Sequence, residues 1–174
     1  MRFIPGPSIA ALAIAVLGGT TMPAAAADAD RHAEVARRGA EVMPFDLKAT
    51  THVFTKTADG GTQRVVAKSD DPRQVALVRS HLREIRAQFL KGDLSGPAHI
   101  HGDDMPGLAA LKDALPGQVA IGYRDVARGA ELRYTTRDHR RVEALHAWFD
   151  AQVSDHGADA MAGHAHHHEG MPAR

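Results

Sequence analysis

The sequence predicts an α+β domain, a four-stranded antiparallel sheet with two helices on one face. Three observations lead there. A hairpin followed by a capped helix is legible twice, near residues 51–89 and 119–153. Placing Gly61 on Gly129 with one gap puts Asp71 on Asp138, Val75 on Val142, Val78 on Leu145 and Leu82 on Phe149. Each half also opens on a Met-Pro pair, Met43-Pro44 and Met105-Pro106. A unit that cannot cover its own sheet face gains by pairing with a copy, so a duplicated ββα unit is expected.

Residues 1–27 read as an export signal. Arg2 supplies a positive start, Ile9 to Leu17 an apolar run, and Pro23-Ala24-Ala25-Ala26-Ala27 the small residues of a cleavage site after Ala26 or Ala27. The run is too short and too interrupted by Gly for a membrane span of about 20 residues, so no span is expected in the mature chain. Residues 28–42 form a lead-in compatible with a short helix, and 43–157 a single domain with halves 43–104 and 105–157. Thr51 to Lys56 is a strand around Val53 and Phe54, Asp59-Gly60-Gly61 a turn, and Gln63 to Lys68 the return strand. Asp71 caps a helix with Pro72 in its first position; Val75, Val78, Leu82, Ile85 and Phe89 form its apolar stripe, and Lys91-Gly92-Asp93 ends it. A polar loop, Ala98 to Gly107, precedes a short helix from Leu108 to Leu115. Val119, Ile121 and Tyr123 alternate along a strand, Arg128-Gly129 turns the chain, and Leu132 and Tyr134 mark its partner. Asp138 caps the second long helix, with Val142, Leu145, Phe149 and Val153 inward, Trp148 widening that face, and Asp155-His156-Gly157 closing it. Residues 158–174 lack large apolar side chains and are expected to be disordered without a ligand.

Composition narrows the chemistry. The chain has 12 His and no Cys. That excludes thiolate zinc sites, iron–sulfur clusters and cysteine nucleophiles, while imidazole is the commonest ligand for zinc, copper and nickel. Lys+Arg and Asp+Glu both number 21, so no charge excess favours nucleic acid as a partner. There is no Gly-x-Ser-x-Gly elbow, Walker loop or His-Glu-x-x-His motif. A mature chain of roughly 147 residues buries a core without disulfides.

The histidines distribute unevenly. In His99-Ile100-His101-Gly102-Asp103-Asp104-Met105, an extended backbone sends His99 and His101 to one side as adjacent ligands, with Asp103 or Asp104 as a third ligand or as an acceptor holding a ring N–H. The plainer alternative is that both Asp cap the next helix and the histidines face solvent; His99 fits this better than His101 does. Period-two alternation places His52 on the same face as Phe54, and His81 sits one turn from Val78 and Ile85. His52, His81 and His101 together leave an open coordination position. His156 is a possible fourth ligand with Asp155 beside it, although His near a helix C-terminus is also explained by the dipole. His146 borders its helix stripe as a hydrogen-bonded packing residue, and with His99 and Met105 is a weaker metal candidate. In the tail, Met161, His164, His166, His167, His168 and Met171 suit capture of copper in both oxidation states, and His-rich tails also take nickel and zinc.

The segments "MPFDL", "THVF", "LVRSHLREIRAQFLKGD", "IHGDDMPGL" and "LHAWFDAQVSDHG" resemble a family of small bacterial proteins of unsettled activity, sometimes called aspartate carbamoyltransferase. The resemblance spans about residues 43–157. It implies that His52, His81, His101 and His156 belong to the family's motifs and that His99 and the tail are additions of this chain; it implies no established reaction. Carbamoyl transfer is not supported by the residues, because the Ser-Thr-Arg-Thr phosphate loop of that chemistry is absent and the chain is about half the length.

The functional expectation is an exported periplasmic metal-binding protein, copper favoured over zinc or nickel, that buffers the ion or passes it to a periplasmic trafficking partner. Two alternatives remain open: a metal-dependent or His/Asp acid–base enzyme acting on a small molecule, and a non-catalytic module binding haem or a partner.

Overall fold

The computed structural model describes residues 24–164. Its elements are α1 (Ala24–Val42), β1 (Thr50–Thr57), β2 (Gly60–Ala67), α2 (Pro72–Phe89), α3 (Ser95–His101), α4 (Leu108–Lys112), β3 (Ala120–Val126), β4 (Gly129–Thr135), α5 (His139–His156), a 3-10 turn (Gly157–Asp159) and β5 (Ala160–Ala162). Among the described residues, no helix is long and apolar enough to cross a membrane.

The class is α+β as expected, but the sheet has five strands rather than four, in the order β3-β4-β2-β1-β5. Four of them pair antiparallel, with β2 and β4 joining the hairpins at the centre, Gln63 opposite Leu132. The fifth, β5, runs parallel to β1, with His52 opposite Ala160 and Phe54 opposite Ala162. Ala160-Met161-Ala162 carries no β-branched residue and no alternation, so nothing local marks it as a strand. It forms because α5 and the 3-10 turn deliver the chain to the open edge of β1. The ordered chain therefore runs past Gly157, where a disordered tail was expected to begin.

Alternation does its work on the helix-covered face. Phe54, Val65, Ile121, Leu132 and Tyr134 are buried there. Phe149 of α5 meets Phe54 and Tyr134 at ring-centroid distances of 5.3 and 5.9 Å, and Trp148 meets Tyr134 at 5.8 Å. Val78 and Leu82 of α2 are completely buried against the same layer. Both caps form as read: Asp71 accepts from the amides of Arg73 and Gln74, and Asp138 from that of Arg140.

Residues 95–101 depart from expectation. They are not an extended loop but the helix α3, whose start is supported by Asp93 accepting from the Ser95 amide at 3.0 Å. Pro97 falls within its first turn, where an amide has no intrahelical partner to lose. The chain then turns at Gly107, with φ +78°, and enters α4 so close to α5 that a Cβ there would overlap the Ala144 carbonyl. Gly107→Ala is expected to cost more than about 1 kcal/mol, through left-handed strain added to that overlap, read as a lower urea midpoint with unchanged slope.

Candidate metal centre

Four imidazoles expected to be related, His52, His81, His101 and His156, line a single cavity of about 60 Å³. Its remaining wall includes Met43, Phe89, Trp148 and the amide side chains of Gln63, Gln88 and Gln152. Each ring arrives from a different element. Alternation along β1 drops His52 beneath the helices. His81 comes from the buried side of α2, edge-on to Phe45 at 5.6 Å. His101 ends α3, and His156 ends α5. His52, His81 and His101 are all buried, at 3%, 8% and 2% exposure.

The rings are close. His52 and His156 lie 5.2 Å apart between centroids with planes 7° from parallel, and His101 and His156 lie 5.1 Å apart at 75°. Two imidazoles on a tetrahedral ion, with metal–nitrogen bonds of ~2.0 Å, have centroids about 5 Å apart. The separations fit, but the orientations are not those of a finished site. An ion lies in the plane of each ring that binds it, and the nearly parallel stacked planes of His52 and His156 share none, so one ring must turn. Accordingly, no group of three or more His, Asp or Glu among the described residues stands ready to hold an ion.

The donor chemistry is better prepared than the orientation. His101 Nδ1 lies 2.8 Å from Asp155 Oδ2. An ionised carboxylate only accepts, so the proton sits on Nδ1 and Nε2 is the unprotonated nitrogen, with the Gln152 side chain beside the ring. One ring nitrogen held by an acceptor is the arrangement that orients histidine ligands. The buried Nδ1 of His52 has no hydrogen-bond partner. Trp148 Nε1, on the same wall, is a second buried nitrogen without a partner.

Burial keeps these rings neutral. Desolvation, reinforced by the neighbouring imidazoles, lowers the pKa of His52 to about 3 and that of His156 to about 4. Burial also lowers His81, opposed by Glu84, and lowers His101, opposed by its bond to Asp155. For Asp155 burial disfavours the charge, yet the hydrogen bonds from Arg31 and His101 leave its pKa below the ordinary value.

The other candidates lie elsewhere. On the helix α3, residues two apart diverge by roughly 200°, so His99 points outward and its Nε2 meets Glu41 at 2.8 Å. His99 and His101 are thus not adjacent ligands. Asp103 is exposed and pairs with Lys112, Asp104 is exposed, and neither lines the cavity. Met105 is buried in the apolar core away from it. The His146 ring bonds to the Thr57 and Gly60 carbonyls at 3.0 and 2.9 Å, a packing role. Asp155 does orient a ring, but that of His101 rather than its neighbour His156. Met161 lies in β5, half exposed, and His164 lines a groove on the helix-free face with Arg64 and Glu131. His166, His167, His168 and Met171 lie outside the described residues. Sequence reading missed Arg31 and the three Gln, none of which carries a local signal.

No protein-family model, curated protein or solved structure matches this chain.

The depressed pKa values set the acid response of the metal-free fold. His52 and His156 take up protons readily only when unfolded, so their contribution is intact above pH ~6.5 and is lost as pH falls toward their folded values of about 3 and about 4. Between roughly pH 6 and 4.5 each ring removes about 1.4 kcal/mol of stability per pH unit. Denaturant titrations across that range should show the fall, and His52→Phe should make it shallower.

Proposed function

We propose that this chain is an exported metal-binding protein whose ion sits in the His52–His81–His101–His156 cavity. The observation that carries the reading is the convergence of four imidazoles on one small cavity, where Asp155 holds His101 Nδ1–H and the buried Nδ1 of His52 has no partner. Rings kept neutral by burial need release no proton to bind. His156 completes the set by turning, and His81 stands on the wall as a further nitrogen donor.

The donor set is imidazole with one nearby thioether, Met43, and no anionic ligand inside the cavity. This suits copper, with zinc and nickel as competitors. The His/Met-rich C-terminal segment, reached through β5 directly after His156, serves as a collector, and the cavity as the store from which a trafficking partner is supplied. We further take the two ββα units as copies of one ancestral unit, with the cavity at their common boundary.

Cavity size weighs against the alternatives. About 60 Å³ is room for an ion with a water or two, not for a porphyrin or an organic substrate of ordinary size. The His101–Asp155 pair has the form of an acid–base dyad, but its carboxylate is already committed to Arg31.

Trp148 is the only tryptophan and lines the cavity, which makes the test direct. Titration of the full chain with Cu²⁺ is expected to quench its fluorescence at one equivalent, and a chain ending at residue 163 should keep that equivalent. His52→Ala and His101→Ala should each weaken binding at least roughly tenfold. If the shortened chain binds nothing, or both variants bind as wild type does, the cavity is not a metal site.

A further inference from the structure

We propose that Arg31, on the N-terminal helix α1, is a positioning residue for the imidazole cavity, an inference that rests on the metal-binding reading above. Arg31 Nε donates to Asp155 Oδ1 at 3.1 Å and its Nη2 to Asp155 Oδ2 at 2.5 Å. The same Nη2 also donates to the backbone carbonyl of His101 at 2.8 Å. Asp155 Oδ2 in turn accepts from His101 Nδ1. The hydrogen bonds close a loop in which one guanidinium fixes both the carboxylate that holds the His101 ring and the carbonyl of His101 itself. Ring and backbone are pinned from a single point, which sets the direction of Nε2.

Only the planar fork of Arg makes these bonds together; the ammonium of Lys is a point charge on a flexible stem. The rest of α1 docks on the same two chain segments. His32 Nε2 meets the Ser154 carbonyl in the last turn of α5 at 2.9 Å, Arg38 Nη1 donates to the His99 carbonyl at 3.3 Å, and Val35 is fully buried. Helix α1 therefore braces the two helix ends that deliver His101 and His156. It is a working part of the site rather than a lead-in.

The test compares Arg31→Gln and Arg31→Lys with Arg37→Gln, a control whose guanidinium pairs with Glu34 and Glu41 on the exposed side of α1. Two quantities are read on the full chain: affinity for Cu²⁺ alone, and the His101 ring nitrogen signals in metal-free protein by long-range proton–nitrogen spectra. Arg31→Gln is expected to weaken Cu²⁺ binding roughly 10- to 100-fold and to replace the single Nδ1–H tautomer of His101 by a mixture. Arg31→Lys should fall between, and Arg37→Gln should match wild type. Circular dichroism checks that α1 persists; where Arg31→Gln loses it, Arg31→Lys carries the comparison. An unchanged His101 tautomer, or affinity within twofold of wild type, overturns the proposal. A wild type that takes up no Cu²⁺ sinks the functional reading instead, and the ring signals still decide the role of Arg31.

Discussion

Gathering four imidazoles, three of them buried, around one small cavity is the constraint on which the rest of the site depends. An imidazole in an apolar wall either finds a hydrogen-bond acceptor for its N–H or costs the fold the desolvation of that group. At the end of α5, Asp155 accepts from the His101 ring and the next residue, His156, stacks on His52. That helix end is held in turn by α1 through Arg31, and by the pairing of β5 with β1.

Neutrality follows from the same burial. Neighbouring rings lower the pKa of His52 and His156 further, because a second proton in so small a volume would place like charges about 5 Å apart. The cluster resists protonation and remains a set of lone-pair donors where exposed histidines would begin to charge. The adaptation has a cost in acid, where unfolding becomes the way to take up protons. The orphaned His52 and Trp148 nitrogens are the mark of a polar cavity left incompletely satisfied by the protein alone.

Much of the framework was legible because local chemistry and tertiary outcome agree. Asp71-Pro72 and Asp138 announce their helices, the Gly-rich turns announce the hairpins, and the alternation around Phe54 buries His52. The failures have equally physical causes. Ala160–Ala162 is a strand only because β1 leaves an edge open beside the end of α5. The His-x-His segment was read with a period of two, whereas Asp93 and Pro97 start a helix there; the changed period sends His99 to solvent and His101 inward. Asp103 and Asp104, plausible by proximity in sequence, face solvent for the same reason.

From the sequence alone came the histidines and the elements that carry them: His52 on a strand under helices, His81 beside an apolar stripe, His156 at a helix end, and no thiol anywhere. Those are properties of composition and periodicity, which act over a few residues. Tertiary structure decided which of these rings meet, and that Arg31 and Asp155 hold His101. Contacts such as Arg31 to Asp155 join residues 124 positions apart. Only packing chooses such partners, since no local preference of the chain encodes them.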